Sequence, residues 1–161
     1  MHARHIVLAV LAAAVTLTSV ASAGSAAAKQ RVAITVAIGG KGVLTPLKNG
    51  ALERDSGTFG GDWSPTPNRT VVREGQTVDI HTAVWTFTGK GGKLVFRERN
   101  EWVDLGHDQN RDGWEDGIAI GTWKVVRGTG LYAGITGGGR SGHLGLGRTW
   151  VARYEGFLTV P

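Results

Sequence analysis

The side chains with the clearest potential for chemistry fall in three places. The first is the polar run Asp108-Gln109-Asn110-Arg111-Asp112-Gly113-Trp114-Glu115-Asp116. It sets oxygens at positions 1, 3 and 5, a glycine at 6 and an acid at 9. This is the opening of an EF-hand-type calcium loop, where a hard cation gathers several oxygens from a tight turn. The twelfth position is Ala119 instead of a bidentate glutamate. The spacing therefore predicts a weak, stabilising calcium site on Asp108, Asn110, Asp112 and Asp116, or else a polar turn in which Asp, Asn and Gly serve the backbone.

The second place is Lys93–Leu105. Leu94, Phe96, Glu98, Asn100 and Trp102 alternate onto one face of a strand. If that face is internal, a carboxylate and an amide lie among apolar groups. Burial raises a carboxyl pKa, which is one way to make a general acid or base. Glu98 and Asn100, with Tyr154 on the last apolar strand, are the catalytic candidates. The bland alternative is that they reach solvent at the end of the sheet.

The third is a set of six tryptophans. Trp85, Trp102 and Trp150, with Phe96, could line a pocket for a small apolar ligand, or simply form core and rim. Asp79 and His81 share a strand face, but two ligands do not make a metal site. His107 and His143 match no ligand spacing. There is no cysteine, and neither G-x-S-x-G nor H-E-x-x-H occurs. Gly128-Thr129-Gly130 and Gly137–Gly139 lack the following helix that a phosphate cradle needs.

The elements that must position these groups are strands. No apolar pattern of helical period is sustained beyond the N-terminal run. Glycine, at 26 residues of 161, is far above an average of about 7% and separates β-rich runs. Strands are predicted at Arg31–Ile38, Val43–Leu47, Leu52–Phe59, Thr70–Arg73, Gln76–Thr88, Lys93–Leu105, Trp114–Arg127, Arg140–Leu146 and Thr149–Val160. Gln76–Leu105 reads as a hairpin turned at Gly89–Gly92. A change of apolar phase along Gln76–Thr88 predicts a bulge near Thr82. The last strand is too apolar on one face to stay unpaired, and the first strand is its natural partner. Between the strands, Gly128–Ile135 predicts a tight corner, with Leu131, Tyr132 and Ile135 plugging one end. The fold class is all-β: a single closed or nearly closed antiparallel β-barrel of about eight strands.

Residues 1–23 read as a signal peptide. A short n-region with Arg4 precedes the apolar Ile6–Val20, and Ala21-Ser22-Ala23 is a small-x-small cleavage pattern. This implies a secreted protein in which residues 24–161 form one barrel domain. No further apolar run suggests a membrane span in the mature chain. The whole chain carries 18 Lys and Arg against 13 Asp and Glu, a net charge of +5. The basic residues are scattered, without the stripe and interleaved aromatics of a nucleic-acid binder.

Gly121–Arg140 (GTWKVVRGTGLYAGITGGGR), followed by Tyr154-Glu155-Gly156-Phe157-Leu158-Thr159, resembles the allene oxide cyclase/dirigent-type β-barrel superfamily, in particular its secreted bacterial uncharacterised branch with G-T-G-x-Y-A-G-x-x-G-x-G corners. The resemblance covers the C-terminal 40 to 50 residues; upstream it rests on strand pattern. It implies an eight-stranded antiparallel barrel with a central cavity, sometimes a homo-oligomer. The family's functional positions do not map onto this chain residue by residue. Three functional expectations follow. The first is a non-enzymatic binding or structural module with a small apolar ligand. The second is a cyclase/dirigent-like enzyme, isomerase in type, steering a reactive intermediate. The third is a calcium-stabilised extracellular structural protein.

Overall fold

The computed structural model describes residues 27–48, 50–64 and 66–161. The leader assigned to residues 1–23 lies outside the described residues. Nine strands follow in order: β1 (Ala28–Ala37), β2 (Lys41–Pro46), β3 (Asp55–Asp62), β4 (Arg69–Arg73), β5 (Gln76–Gly89), β6 (Gly92–Asp104), β7 (Gly117–Gly128), β8 (Thr136–Leu146) and β9 (Thr149–Val160). Among the described residues the one helical piece is a 3-10 turn, η1, at Gly130–Tyr132. Every predicted strand is present. β8 begins at Thr136 instead of Arg140 and takes in the glycine run Gly137–Gly139. A side chain at Gly139 would overlap the Glu155 carbonyl across the pair, so glycine is what lets β8 and β9 approach there.

All strand pairs are antiparallel, and neighbours run β3-β2-β1-β9-β8-β7-β6-β5-β4. The first and last strands pair as expected, from Ala28 opposite Val160 to Val36 opposite Ala152. β3 also pairs with β5, so the hydrogen bonds run round in a ring. β3 and β4 occupy successive stretches of the same edge of β5, with Phe59 opposite Phe87 in one and Val71 opposite Val78 in the other. They behave as one strand interrupted at 63–68. The register is staggered round the ring. From Asp79 it passes through Trp102, Ala119, His143, Ala152, Val36, Gly42 and Gly57, and returns to β5 at Gly89, ten residues further along.

The bulge expected near Thr82 does not occur. β5 and β6 stay in continuous register from Asp79 to Gly89, and the irregularity falls at Val95/Phe96 against β7. The phase change in β5 has another origin. Val78 and Ile80 are buried on one face, while His81, Ala83, Trp85 and Phe87 are buried on the other. The buried face of β5 thus changes between Ile80 and His81, both buried, while the register against β6 runs on unbroken.

The two ends of the ring differ. At one end Gly130 and Gly134 take positive φ (61° and 71°), a backbone region in which glycine is at ease. They turn the chain so that Tyr132 and Ile135 are buried, each 3% exposed. The Tyr132 hydroxyl donates to Asp55 Oδ2 at 2.8 Å, and the same carboxylate accepts the Lys90 and Gly91 N–H groups of the β5–β6 turn. Leu131 departs from the expected plug: it is 75% exposed, because the 3-10 turn directs successive side chains apart. Nearby, buried Gln30 clamps the chain that follows β2, donating to the carbonyls of Lys48 and Leu52 and accepting from the Leu52 N–H.

Tyr132→Ala should therefore cost about 3–5 kcal/mol by cavity formation, and Tyr132→Phe roughly 1–2 kcal/mol through the lost hydrogen bond. Leu131→Ala should leave urea unfolding within about 0.5 kcal/mol of wild type. Equal losses at Leu131 and Tyr132 would contradict this packing.

Candidate functional site

Glu98 projects from β6 into the ring and is fully buried. A carboxylate out of water must be met by donors inside the protein, and four converge on it. Oε2 accepts the Trp85 indole N–H at 2.7 Å and the Tyr154 hydroxyl at 3.1 Å. Oε1 meets His143 Nε2 at 2.7 Å and accepts the Ser141 hydroxyl. An ionised carboxylate offers about four lone-pair sites, so this one is saturated. The indole N–H can only donate, which fixes Oε2 as an acceptor.

The register explains how strands that are not neighbours reach one carboxylate. Asn100 on β6, Gly121 on β7, Ser141 on β8 and Tyr154 on β9 form one row. A Cβ at Gly121 would stand 2.8 Å from Ser141 Oγ and 2.9 Å from Asn100 Cβ. The absence of a side chain at Gly121 lets the side chains of β6 and β8 meet across β7. His143 follows Ser141 by two residues and hence shares its face.

Burial is the largest influence on Glu98 and works to raise its pKa. The hydrogen bonds from His143, Ser141 and Trp85, with a positive charge on the His143 ring, outweigh it, and the carboxyl titrates below its ordinary range. The expectation of a raised pKa from burial alone is thus corrected. Tyr154 is shifted well upward, first by burial and then by the adjacent Glu98 charge, so its hydroxyl remains a donor. Ser141 and His143 share one oxygen of Glu98, and the arrangement is not a nucleophile activated by its own base. Nε2 can donate to Glu98 from either ring state: the neutral tautomer then carries its lone pair on Nδ1, whereas the protonated ring has donors on both nitrogens.

Asn100 is 4% exposed, and its Oδ1 is buried without a hydrogen-bond partner among the described residues. It lies two residues nearer than Glu98 to the end opposite η1. That end is aromatic. Trp150, partly buried, lies 5.1 Å from Trp85, 6.0 Å from Phe59 and 5.9 Å from His143 between ring centroids. Trp63, 43% exposed, lies 5.6 Å from buried His81. Trp102 lies over Gly117 and Gly145, where any Cβ would run into its ring. Phe96 is fully buried between Phe59, Trp123 and Tyr154.

Of the residues singled out from sequence, Glu98, Tyr154 and Trp85 are joined by direct hydrogen bonds, while Asn100, Phe96 and Trp150 adjoin that network. Trp102 stands apart at the rim, where its indole N–H donates to Asp104. Ser141 and His143 were missed. The signal was slight: two polar residues in phase on a strand, Arg140–Leu146, whose glycines hide any alternation.

In the Asp108–Asp116 loop most side-chain oxygens meet backbone N–H groups, although Asp116 Oδ1 is buried without a partner among the described residues. Asp108 accepts the Asp112 and Gly113 N–H groups, and Asp112 accepts those of Trp114 and Arg148. Asn110 donates to the Leu146 carbonyl, and buried Asp116 accepts from Gln109 and meets His107 Nδ1 at 2.9 Å. Asp112 thus braces the β8–β9 turn while Asp116 turns inward. Among the described residues no group of three or more His, Asp or Glu could hold a metal ion.

Compared with family models, curated proteins and solved structures, the chain matches none.

Removing a hydrogen-bond donor from a buried acceptor costs about 1–3 kcal/mol, and His143→Ala should do so here. The lowered Glu98 pKa also sets a pH dependence. Its stabilising contribution is fully present above the ordinary glutamate value of 4.5 and is lost as pH falls through the lower folded-state value. Chemical unfolding of wild type and Glu98→Gln at stepped pH should show their stability difference shrinking below pH 4.5. A difference that grows with acid would contradict the assignment.

Proposed function

We propose that this chain is a secreted, closed eight-stranded β-barrel that binds a small, largely apolar ligand at its aromatic end. The staggered ring supports closure, since a sheet rolled into a barrel needs both strand tilt and a register offset, with β3 and β4 together filling one strand position. The signal-peptide pattern of residues 1–23 supports export. The observation that carries the binding reading is Asn100 Oδ1, a buried acceptor without a donor beside an aromatic mouth. Buried polar atoms in native structures rarely stay unpaired. A ligand O–H or N–H would complete it, with Trp150, Trp63 and Trp102 holding the apolar part. The ligand sits at the mouth, because the deeper interior is filled by Phe59, Phe96 and Tyr154 with ring centroids 5.1–5.6 Å apart.

The rival reading, a cyclase/dirigent-like isomerase, draws on the Glu98–His143 pair, which would orient the ring as a base through Nδ1. Binding is favoured over it because the group left without a partner beside the mouth is an amide oxygen, Asn100 Oδ1, which can accept a hydrogen bond but not serve as a base.

The test uses 2-naphthol, an aromatic with one O–H donor, against 2-methoxynaphthalene, which lacks it, read by tryptophan quenching. Wild type should prefer 2-naphthol by about tenfold, since leaving a buried acceptor unpaired costs about 1–3 kcal/mol. Asn100→Leu should erase the preference, and Trp150→Ala should weaken both. Equal affinities in wild type, or no binding of either at millimolar concentration, would reject the reading.

A further inference from the structure

The outer face of β6–β7–β8 carries a concentration of positive charge. Arg97 stands directly opposite Lys124, and Lys124 opposite Gly138; one row on, Arg99, Thr122 and Arg140 are aligned. Arg97, Arg99, Thr122, Lys124 and Arg140 are all exposed. Like charges placed directly opposite on a sheet repel, and of these cations only Arg99 is paired, with Glu101. The bordering carboxylates are otherwise engaged from outside the patch: Glu101 by Arg73, Glu155 by Arg31 and Arg153. Among the described residues Arg97, Lys124 and Arg140 form no ion pair with a carboxylate.

The surface between these cations is concave. Arg97, Arg99, Thr122 and Lys124 border an open trough of about 510 Å³ with Gly137 and Gly138 along its side. Those glycines add no side chain, so the trough is not filled from β8. A side chain at Gly138 would run into the Trp123 carbonyl. The same glycine that permits close strand packing thus leaves the trough open beside Lys124.

We propose that this trough binds a linear polyanion whose charges are phosphates and which carries no bases. Guanidinium forks match the geometry of phosphate oxygens, and Thr122 adds a neutral hydroxyl. Cations alternate along and across the strands, which suits a chain of charges more than a single ion. Base recognition on single strands requires exposed aromatic faces for stacking. The one aromatic residue at the trough, Trp123, is 3% exposed, with its indole N–H donating to the Arg140 carbonyl. This surface lies outside the ring and is separate from the aromatic mouth.

The probe is fluorescently labelled inorganic polyphosphate of defined length, followed by anisotropy over a sodium chloride series. Oligo(dT) and poly-glutamate of equal charge serve as competitors. Polyphosphate should bind, poly-glutamate should compete at least tenfold more weakly, and oligo(dT) should bind no tighter than polyphosphate. Arg97→Gln with Lys124→Gln should weaken binding at least tenfold and lower the salt slope by about 1.5, since each neutralised phosphate contributes roughly 0.7–0.9. Circular dichroism confirms that the variant is folded, and Lys41→Gln with Arg54→Gln, away from the trough, should change affinity less than twofold. An unchanged affinity in the trough variant, equal competition by poly-glutamate, or tighter binding of oligo(dT) would overturn the proposal.

Discussion

A carboxylate buried without water must gather its donors from whatever strands can reach it. Glu98 does this with Trp85 from β5, Ser141 and His143 from β8 and Tyr154 from β9. Unpaired, the charge would cost several kcal/mol; with four donors it becomes a node tying strands that are far apart round the ring. The constraint runs in both directions. The network forms only if β7 passes between β6 and β8 without a side chain at Gly121, and the ring is fixed in register by the need to satisfy Glu98. Each strand could slide without exposing much apolar surface along the glycine-rich β8. A one-residue slip there would turn Ser141 and His143 outward and strand the carboxylate.

The two ends of the ring divide the labour. One is closed by the η1 corner, where Tyr132, Asp55 and the β5–β6 turn form a single hydrogen-bonded unit and Gln30 holds the neighbouring loop. Hydrogen bonds from Gly91, Tyr132 and Lys90 hold Asp55 below its ordinary pKa against the opposing effect of burial. The other end has aromatic faces, histidines and an unpaired amide oxygen. A firm end and a less completed end are what a binding site needs from its scaffold: rigidity on one side, unsatisfied groups on the other.

Strand positions and the β5–β6 hairpin were legible from sequence because β-rich runs alternate with glycine turns, and pairing of first and last strands followed from the apolar face of β9. The inward direction of Glu98 and Asn100 was legible because Leu94 and Phe96 share their phase. The partners were not. β8 reads TGGGRSGHLGL, in which five glycines, on both faces, remove the periodic signal, so Ser141 and His143 could not be assigned a face. The bulge was misplaced for a related reason: the buried face of β5 changes between Ile80 and His81, and a period of two cannot distinguish such a change from a slip. Leu131 was expected to be inside because it is apolar, but the 3-10 turn has room to bury only Tyr132. In the Asp108–Asp116 loop the spacing left a cation site and a polar turn both open, and Asp108 and Asp112 accept backbone N–H groups there.

The central claim is that Glu98 is an ionised carboxylate held by internal donors. Carbon-13 NMR of side-chain carboxyls, with Glu98 assigned by its loss in Glu98→Gln, tests this most directly. The account predicts a Glu98 signal at the carboxylate position at neutral pH and a titration midpoint below 4.5. A signal already at the protonated position at neutral pH, or one that titrates at or above 4.5, would contradict it.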